Sequence, residues 1–227
     1  MPRWTDLTGL AGAVAALAAL TLALPGIARL RRRSPALLLA AVAALALIPL
    51  GALPAAAYVR GVLGDLSVTS MVLLLRALLR PLFRWPPLGA ENALAVQALA
   101  VVGALVLYPP VLGLGWLDPY RWGYGGQGFV VAVLLLAAAA WLLRLHLAAS
   151  CIALAVLAHA VGWYESRNLW DYLLDPLVSA WGLVALGFRA AKAAGAHSGR
   201  VGLSPGRSVA GPTKESSSSC RRDERAW

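Results

Sequence analysis

Three polar stretches interrupt an otherwise apolar chain, and each sets an acid close to an arginine. YVRGVLGDLSVTS (58–70) carries Arg60 and Asp65, and GWLDPYRWGYGGQG (115–128) carries Asp118 and Arg121. WYESRNLWDYLLDP (163–176) carries Glu165 and Arg167, with His159 six residues before Glu165. A guanidinium can grip a phosphate bidentately, and a carboxylate or imidazole can move a proton or hold an amine. Folded together, these stretches would form a polar pocket at lipid-headgroup depth. Asp65, Asp118, His159 and Glu165 are its candidate catalytic groups, and Arg60, Arg121 and Arg167 its candidate headgroup binders.

Each of these residues also has a plainer role. Asp118 and Asp175 stand directly before Pro119 and Pro176, a common opening of a helix or turn, with aspartate as cap and proline at the first helical position. Asp65 stands where an apolar run begins, again a capping place. Trp163, Tyr164, Trp170 and Tyr172 suit an aromatic belt at a membrane surface. Arg167 and Asp171 lie four apart, the spacing of a pair on one helix face. An ionisable group inside an apolar run is a functional hypothesis by default, but a lone histidine bonded to neighbouring backbone is the plainer reading of His159. A collar of structural groups therefore outweighs a catalytic centre.

The sequence points to no metal or cofactor. Zinc on His159 and Glu165 would need further ligands such as Asp65 or Asp118, and no HExxH or Cys/His spacing is present. Haem on His146 and His159 would lack second axial ligands, because the remaining histidine, His197, lies in the tail. No apolar run holds a lysine for a retinal Schiff base. A phosphate-cradling glycine loop ending in lysine, a Gly-x-Ser-x-Gly elbow and a redox cysteine pair are all missing. Cys151 and Cys220 cannot make a disulfide framework.

The elements that must position these groups are apolar helices. Of 227 residues, 60% are hydrophobic and 13% charged, against about 45–50% and about 25% in soluble domains. Runs near the roughly 20 residues of a membrane span recur. The expected fold is all-α, a polytopic transmembrane bundle with spans near 7–28, 35–54, 61–80, 90–112, 128–143, 149–164 and 173–190. The count falls to six if 128–164 is one span, but a single helix there would run about 55 Å, far beyond a hydrocarbon core of about 30 Å. Such a pass would also export the basic tail. The first run resembles a signal peptide with Gly26-Ile27-Ala28 as a cleavage site. Asp6 before it and Arg29, Arg31, Arg32 and Arg33 after it favour an uncleaved anchor instead.

Seven spans with the N-terminus outside put all but four of the twenty basic residues inside, as the positive-inside rule requires. The outside keeps Arg3, Arg60, Arg121 and Arg167 with six acids, and all six tyrosines fall near that face. The net charge of +10 therefore reads as topology, and no nucleic-acid partner is expected. Arg76, Arg80 and Arg84 recur every fourth residue and offer an anionic-lipid site, with ordinary topogenic charge as the alternative. Residues 195–227 are too poor in apolar side chains to fold alone and read as a disordered cytoplasmic tail. Eighteen arginines against two lysines, with long Ala/Leu runs, suggest a GC-rich bacterial gene and an inner-membrane location. The expected function is a noncatalytic membrane component or accessory subunit of the cell envelope, with the bilayer and a membrane-protein partner around it. An outward-facing enzyme on a lipid or lipid-linked substrate is the alternative. A small-solute carrier using Gln97 is a third.

Overall fold

Proline and glycine set the ends of most elements. In the computed structural model, which describes residues 4–27 and 34–201, helix α1 (Trp4–Ala23) stops just before Pro25 and is followed by a 3-10 turn, Pro25–Ile27. Helix α2 (Pro35–Ala46) starts on a proline, whose missing N–H costs nothing at a helix start. Two short antiparallel strands follow, β1 (Pro49–Leu50) and β2 (Leu53–Pro54), with Pro49 opposite Pro54 and Leu50 opposite Leu53. Helix α3 (Ala55–Leu63) ends on Gly64, whose φ of 74° suits a residue without Cβ. Helix α4 (Val68–Phe83) is capped by Ser67, whose hydroxyl accepts from Ser70 N at 3.1 Å.

Helix α5 (Ala90–Val111) ends in a Pro109-Pro110 turn, and a 3-10 segment, Pro119–Tyr124, leads into α6 (Gln127–Leu142). The chain reverses over Leu143, Arg144 and Leu145, with Arg144 at φ 60°, into α7 (His146–Ala160). Asn92 of α5 accepts from Leu147 N at 3.0 Å and so serves the first turn of α7. A five-residue helix, α8 (Leu169–Leu173), precedes α9 (Pro176–Val201). The chain divides into two compact units, Met1–Arg189 and Ala190–Trp227. In the second, the described residues 190–201 are helical.

The described residues are thus mostly helical, in keeping with an all-α chain. Two helical stretches are long and apolar enough to cross a membrane, Ala90–Val111 and Pro176–Gly195; Asp6–Leu22, Pro35–Ala46, Gln127–Leu142 and His146–Ala160 are apolar but shorter. Several boundaries differ from the sequence expectation. The run 35–54 stops being helical at Ala46, because Pro49 and Pro54 frame a hairpin. The run 61–80 is divided, with α3 ending before Gly64 and α4 starting at Val68. By contrast, residues 128–164 form two helices, Gln127–Leu142 and His146–Ala160, as the expected division into 128–143 and 149–164 has it. The helix at 173–190 begins at Pro176 and continues past Gly195 to Val201. The arginines at 29–33 and the tail from 202 onward lie outside the described residues.

Alanine fills the core. Ala15 and Ala18 of α1 meet Leu38 and Val42 of α2 and Leu78 of α4. Ala100 and Ala104 of α5 meet Leu174 and Val178 at the start of α9. Helices α6 and α7 pack as a hairpin, and α8 sits against α4, α7 and the 3-10 segment. That last junction gathers the polar stretches.

Candidate functional site

The stretch 163–175 cannot continue as helix after Gly162 (φ 66°), so its backbone groups need partners of other kinds. Side chains of the stretch itself and of His159 supply them, and other side chains of the stretch reach backbone of the other two polar stretches. Asn168, fully buried, caps α8 by accepting from Trp170 N at 3.0 Å, and its amide donates to Tyr120 O at 2.9 Å. Trp170 Nε1 donates to Pro119 O at 2.9 Å. Gly123 is required beside Asn168, because a Cβ there would overlap the amide oxygen. Asp171 accepts from Ser166 Oγ at 2.5 Å and from Tyr120 OH at 3.2 Å. The Ser166 hydroxyl also accepts from Asn168 N at 3.0 Å.

Two further bonds tie this stretch to its neighbours. Asp175 caps α9 through Oδ1, which accepts from Val178 N at 2.8 Å. Its Oδ2 accepts from Ser67 N at 2.7 Å, across 108 residues of chain, with Ser67 fully buried. One carboxylate thus fixes the starts of α4 and α9 together. Tyr172, also fully buried, accepts from Tyr164 N at 3.1 Å and donates to Ser166 O at 2.9 Å. His159 donates from Nε2 to Arg167 O at 3.1 Å and sets its ring edge-on to Tyr172, 5.3 Å between centroids.

Burial dominates the electrostatics. The Tyr164 phenol is pushed up to about 12, first by burial and then by the charges of Asp65 and Asp175. Burial also raises Tyr120, helped by its hydrogen bond with Tyr124 and the charge of Asp171. Tyr172 is raised by burial, against the opposing pull of the Tyr164 backbone. All three phenols stay protonated well beyond neutral pH, acting as fixed donors and acceptors.

The candidate residues separate into three situations. Arg60 and Asp65 come together, Nε to Oδ1 at 2.6 Å, with Asp6 of α1 at 3.3 Å from Arg60 Nη1. This cluster lies across Gly9, where a Cβ would overlap both side chains. Asp118, Arg121, Glu165 and Arg167 are exposed, and Asp118 makes no capping bond to the segment it precedes. His159 is half-buried and bonded to backbone. Among the described residues, no three His, Cys, Asp or Glu side chains are grouped to hold a metal ion. Asp65 does not cap α4, since Ser67 does, and Asp171 takes Ser166 and Tyr120 rather than an ion pair with Arg167.

Sequence reasoning passed over Ser67, Asn168, Tyr120 and Asn92 as organisers. The capping signals of Ser67 and Asn168 are legible, each standing just before a helical run. The long-range partners Tyr120 and Asn92 carry no local signal. At the other end of α4, Arg76 donates to Pro86 O at 3.3 Å and Arg80 to Trp85 O at 3.4 Å, while Arg84 terminates the helix at φ 51°. No protein-family model, curated protein or solved structure matches the chain.

Proposed function

We propose that this chain is a multi-pass, noncatalytic component of a cell's inner membrane, an accessory subunit of envelope machinery whose outer face is a hydrogen-bonded collar. The observation that carries the membrane reading is the distribution of side-chain size. Buried positions are alanine again and again, with Ala56, Ala148 and Ala155 at most 1% exposed, while Leu37, Leu105, Leu135 and Phe188 are 64–71% exposed. Water would drive the large side chains inward. In lipid, small residues let helices approach and large ones face the hydrocarbon. In this reading the seven longer helices are the spans, the short ones tilting or sharing the bilayer with α3 and the hairpin. The exposed Trp116, Trp122 and Trp163 mark the outer interface.

The collar supports the noncatalytic half of the reading. Asp175, Asn168 and Tyr172 hold backbone groups, Asp171 holds the hydroxyls of Ser166 and Tyr120, and His159 donates to a carbonyl. These are the uses expected of polar groups where helices break inside or near lipid. The enzyme alternative draws on one observation, that the three polar stretches do meet, but the side chains of Asp118, Arg121, Glu165 and Arg167 are exposed.

The test combines topology with partner capture. Leu143→Cys and Leu114→Cys, both on exposed turns, are to be labelled in intact cells with a membrane-impermeant maleimide. Labelling of Leu114→Cys alone, with Leu143→Cys reacting only after permeabilisation, supports seven spans with the N-terminus outside. Equal labelling of both overturns it. Native mass spectrometry of protein released gently from its own membrane should then show a stoichiometric protein partner. A bare protein that turns over a lipid-linked substrate, with activity lost on Glu165→Gln, would favour the enzyme.

A further inference from the structure

One face of α4 opens on a groove that the protein's own side chains do not fill. It lies between α1, α4 and α9 and has a volume of about 590 Å³, within the roughly 300–1,000 Å³ of small-molecule sites. Leu73, Leu74 and Ala77 line it from α4, Leu17 and Leu20 from α1, and Trp181 from α9. Along α4 the lining runs from Ser70 to Arg80, a rise of about 15 Å along the helix.

The two ends of the groove differ. Arg76 and Arg80, one turn apart, stand at one end under the loop that carries Trp85 and Leu88. Each guanidinium has five N–H donors. Arg76 places one on Pro86 O and Arg80 one on Trp85 O, and no carboxylate among the described residues forms an ion pair with either. At the other end Ser70 is 3% exposed, and its hydroxyl has no hydrogen-bond partner among the described residues. A hydrocarbon-lined trough ending on two unneutralised cations fits an amphiphile with an anionic head and an apolar tail.

We infer that the groove binds one anionic phospholipid, its phosphate between Arg76 and Arg80 and one acyl chain laid along Leu73, Leu74 and Ala77 toward Ser70. The inference rests on the membrane reading above and adds a defined lipid site to it. Arginine suits this role because its planar fork can take two phosphate oxygens at once. The contact of Arg76 with the Trp85 ring, 6.0 Å to the centroid, holds the guanidinium at the mouth of the groove.

The test uses the full chain, stripped of lipid in a neutral detergent and titrated with dioleoylphosphatidylglycerol or dioleoylphosphatidylcholine under native mass spectrometry. One retained phosphatidylglycerol is expected, with phosphatidylcholine bound at least about tenfold more weakly. Arg76→Gln with Arg80→Gln should lose the preference. Ala77→Trp fills the trough and keeps both cations, and should weaken phosphatidylglycerol by a similar factor; if that variant does not fold, Ser70→Leu replaces it. Equal retention of both lipids overturns the inference, as does wild-type affinity in the filled variant or a copurifying polypeptide that crosslinks to Leu73 or Ala77. Carbonate extraction of native membranes separates the two failures. An integral protein without lipid preference loses only this site, whereas an extractable protein loses the membrane reading as well.

Discussion

Replacing Asp175 tests whether the collar is a structural lock. Asp175 is 6% exposed, and its two oxygens accept from Val178 N at 2.8 Å and Ser67 N at 2.7 Å. Asp175→Ala leaves two backbone N–H groups without acceptors, Ser67 being fully buried and Val178 2% exposed. Each orphaned donor costs about 1–3 kcal/mol, and part is recovered because the carboxylate no longer has to be desolvated. The expected loss is about 2–4 kcal/mol. Asp175→Asn can still cap α9, since asparagine caps as well as aspartate, but it turns an N–H toward one of the two donors. It should lose about half as much. Asp118→Ala, at an exposed residue without a capping bond, is the control and should stay within about 0.5 kcal/mol. The assay is unfolding in mixed micelles by added dodecyl sulfate, followed by tryptophan fluorescence. Hydrogen exchange at Ser67 and Val178 should accelerate together in Asp175→Ala. Wild-type stability with unchanged exchange at Ser67 would refute the reasoning, because the carboxylate would then not join α4 to α9.

Gly123→Ala should cost about 1–3 kcal/mol by overpacking, through overlap with the Asn168 amide. In an Asn168→Ala background the same change should cost much less, and a double-mutant cycle in the same unfolding assay reads the coupling. Raised phenols predict alkaline sensitivity with a definite sign. Tyr164 moves from 10.0 to about 12 on folding, so the stability it contributes is complete below pH 10 and declines as pH rises toward 12. The difference in absorbance at 295 nm between wild type and Tyr164→Phe should show almost no phenolate at pH 10 in the folded protein; a phenolate signal about half that of one full tyrosinate there would place Tyr164 in solvent. Arg60→Met should cost less than about 1 kcal/mol, with the effect shrinking in salt, because Arg60, Asp65 and Asp6 form a partly exposed cluster. A larger, salt-insensitive loss would mean that the cluster is buried between α1 and a partner.

How much could be read from the chain alone depended on whether the signal was local. The helix at 90–111 and the split of 128–164 follow from apolar run length, a quantity each segment carries by itself. The split needed only the argument that one helix would be too long, although the reversal at Arg144 has no glycine or proline to announce it. Runs 35–54 and 61–80 misled for the same reason. Hydropathy continues smoothly through Pro49, Pro54 and Gly64, while the backbone does not, since proline lacks a donor and Gly64 takes a positive φ. At the site, aspartate before proline pointed correctly to Asp175 as a cap. Its second bond, to Ser67 N, joins residues 108 apart, and nothing in either segment encodes the other. The partnership of Gly123 with Asn168 is hidden in the same way, because a close approach is a property of two surfaces.

Under the membrane reading proposed above, lipid explains why the collar and the alanine core belong together. Between helices in hydrocarbon, burying an apolar side chain gains little, since lipid is as apolar as leucine. Alanine interfaces such as Ala15 and Ala18 against Val42, or Ala100 and Ala104 against Val178, therefore give close packing but weak register. Gly182 sits so near α5 that a Cβ would lie 3.1 Å from Gln97 O, which fixes distance rather than rotation. Register has to come from directional bonds, and the breaks at 64–67, 112–126 and 161–168 are where backbone groups need partners. Two bonded groups answer that need: Asp175 with Ser67, and Tyr120, Asn168, Asp171 and Tyr172 gathered about Ser166. A substrate using Asp171 or Asp175 as a base would have to displace Tyr120 and Ser166 from one, or two backbone amides from the other, and would loosen the starts of α8 and α9 in doing so. Under the proposed reading these two carboxylates are therefore committed to structure, and any chemistry at this end belongs to groups that hold no helix start, such as the exposed Asp118 and Arg121.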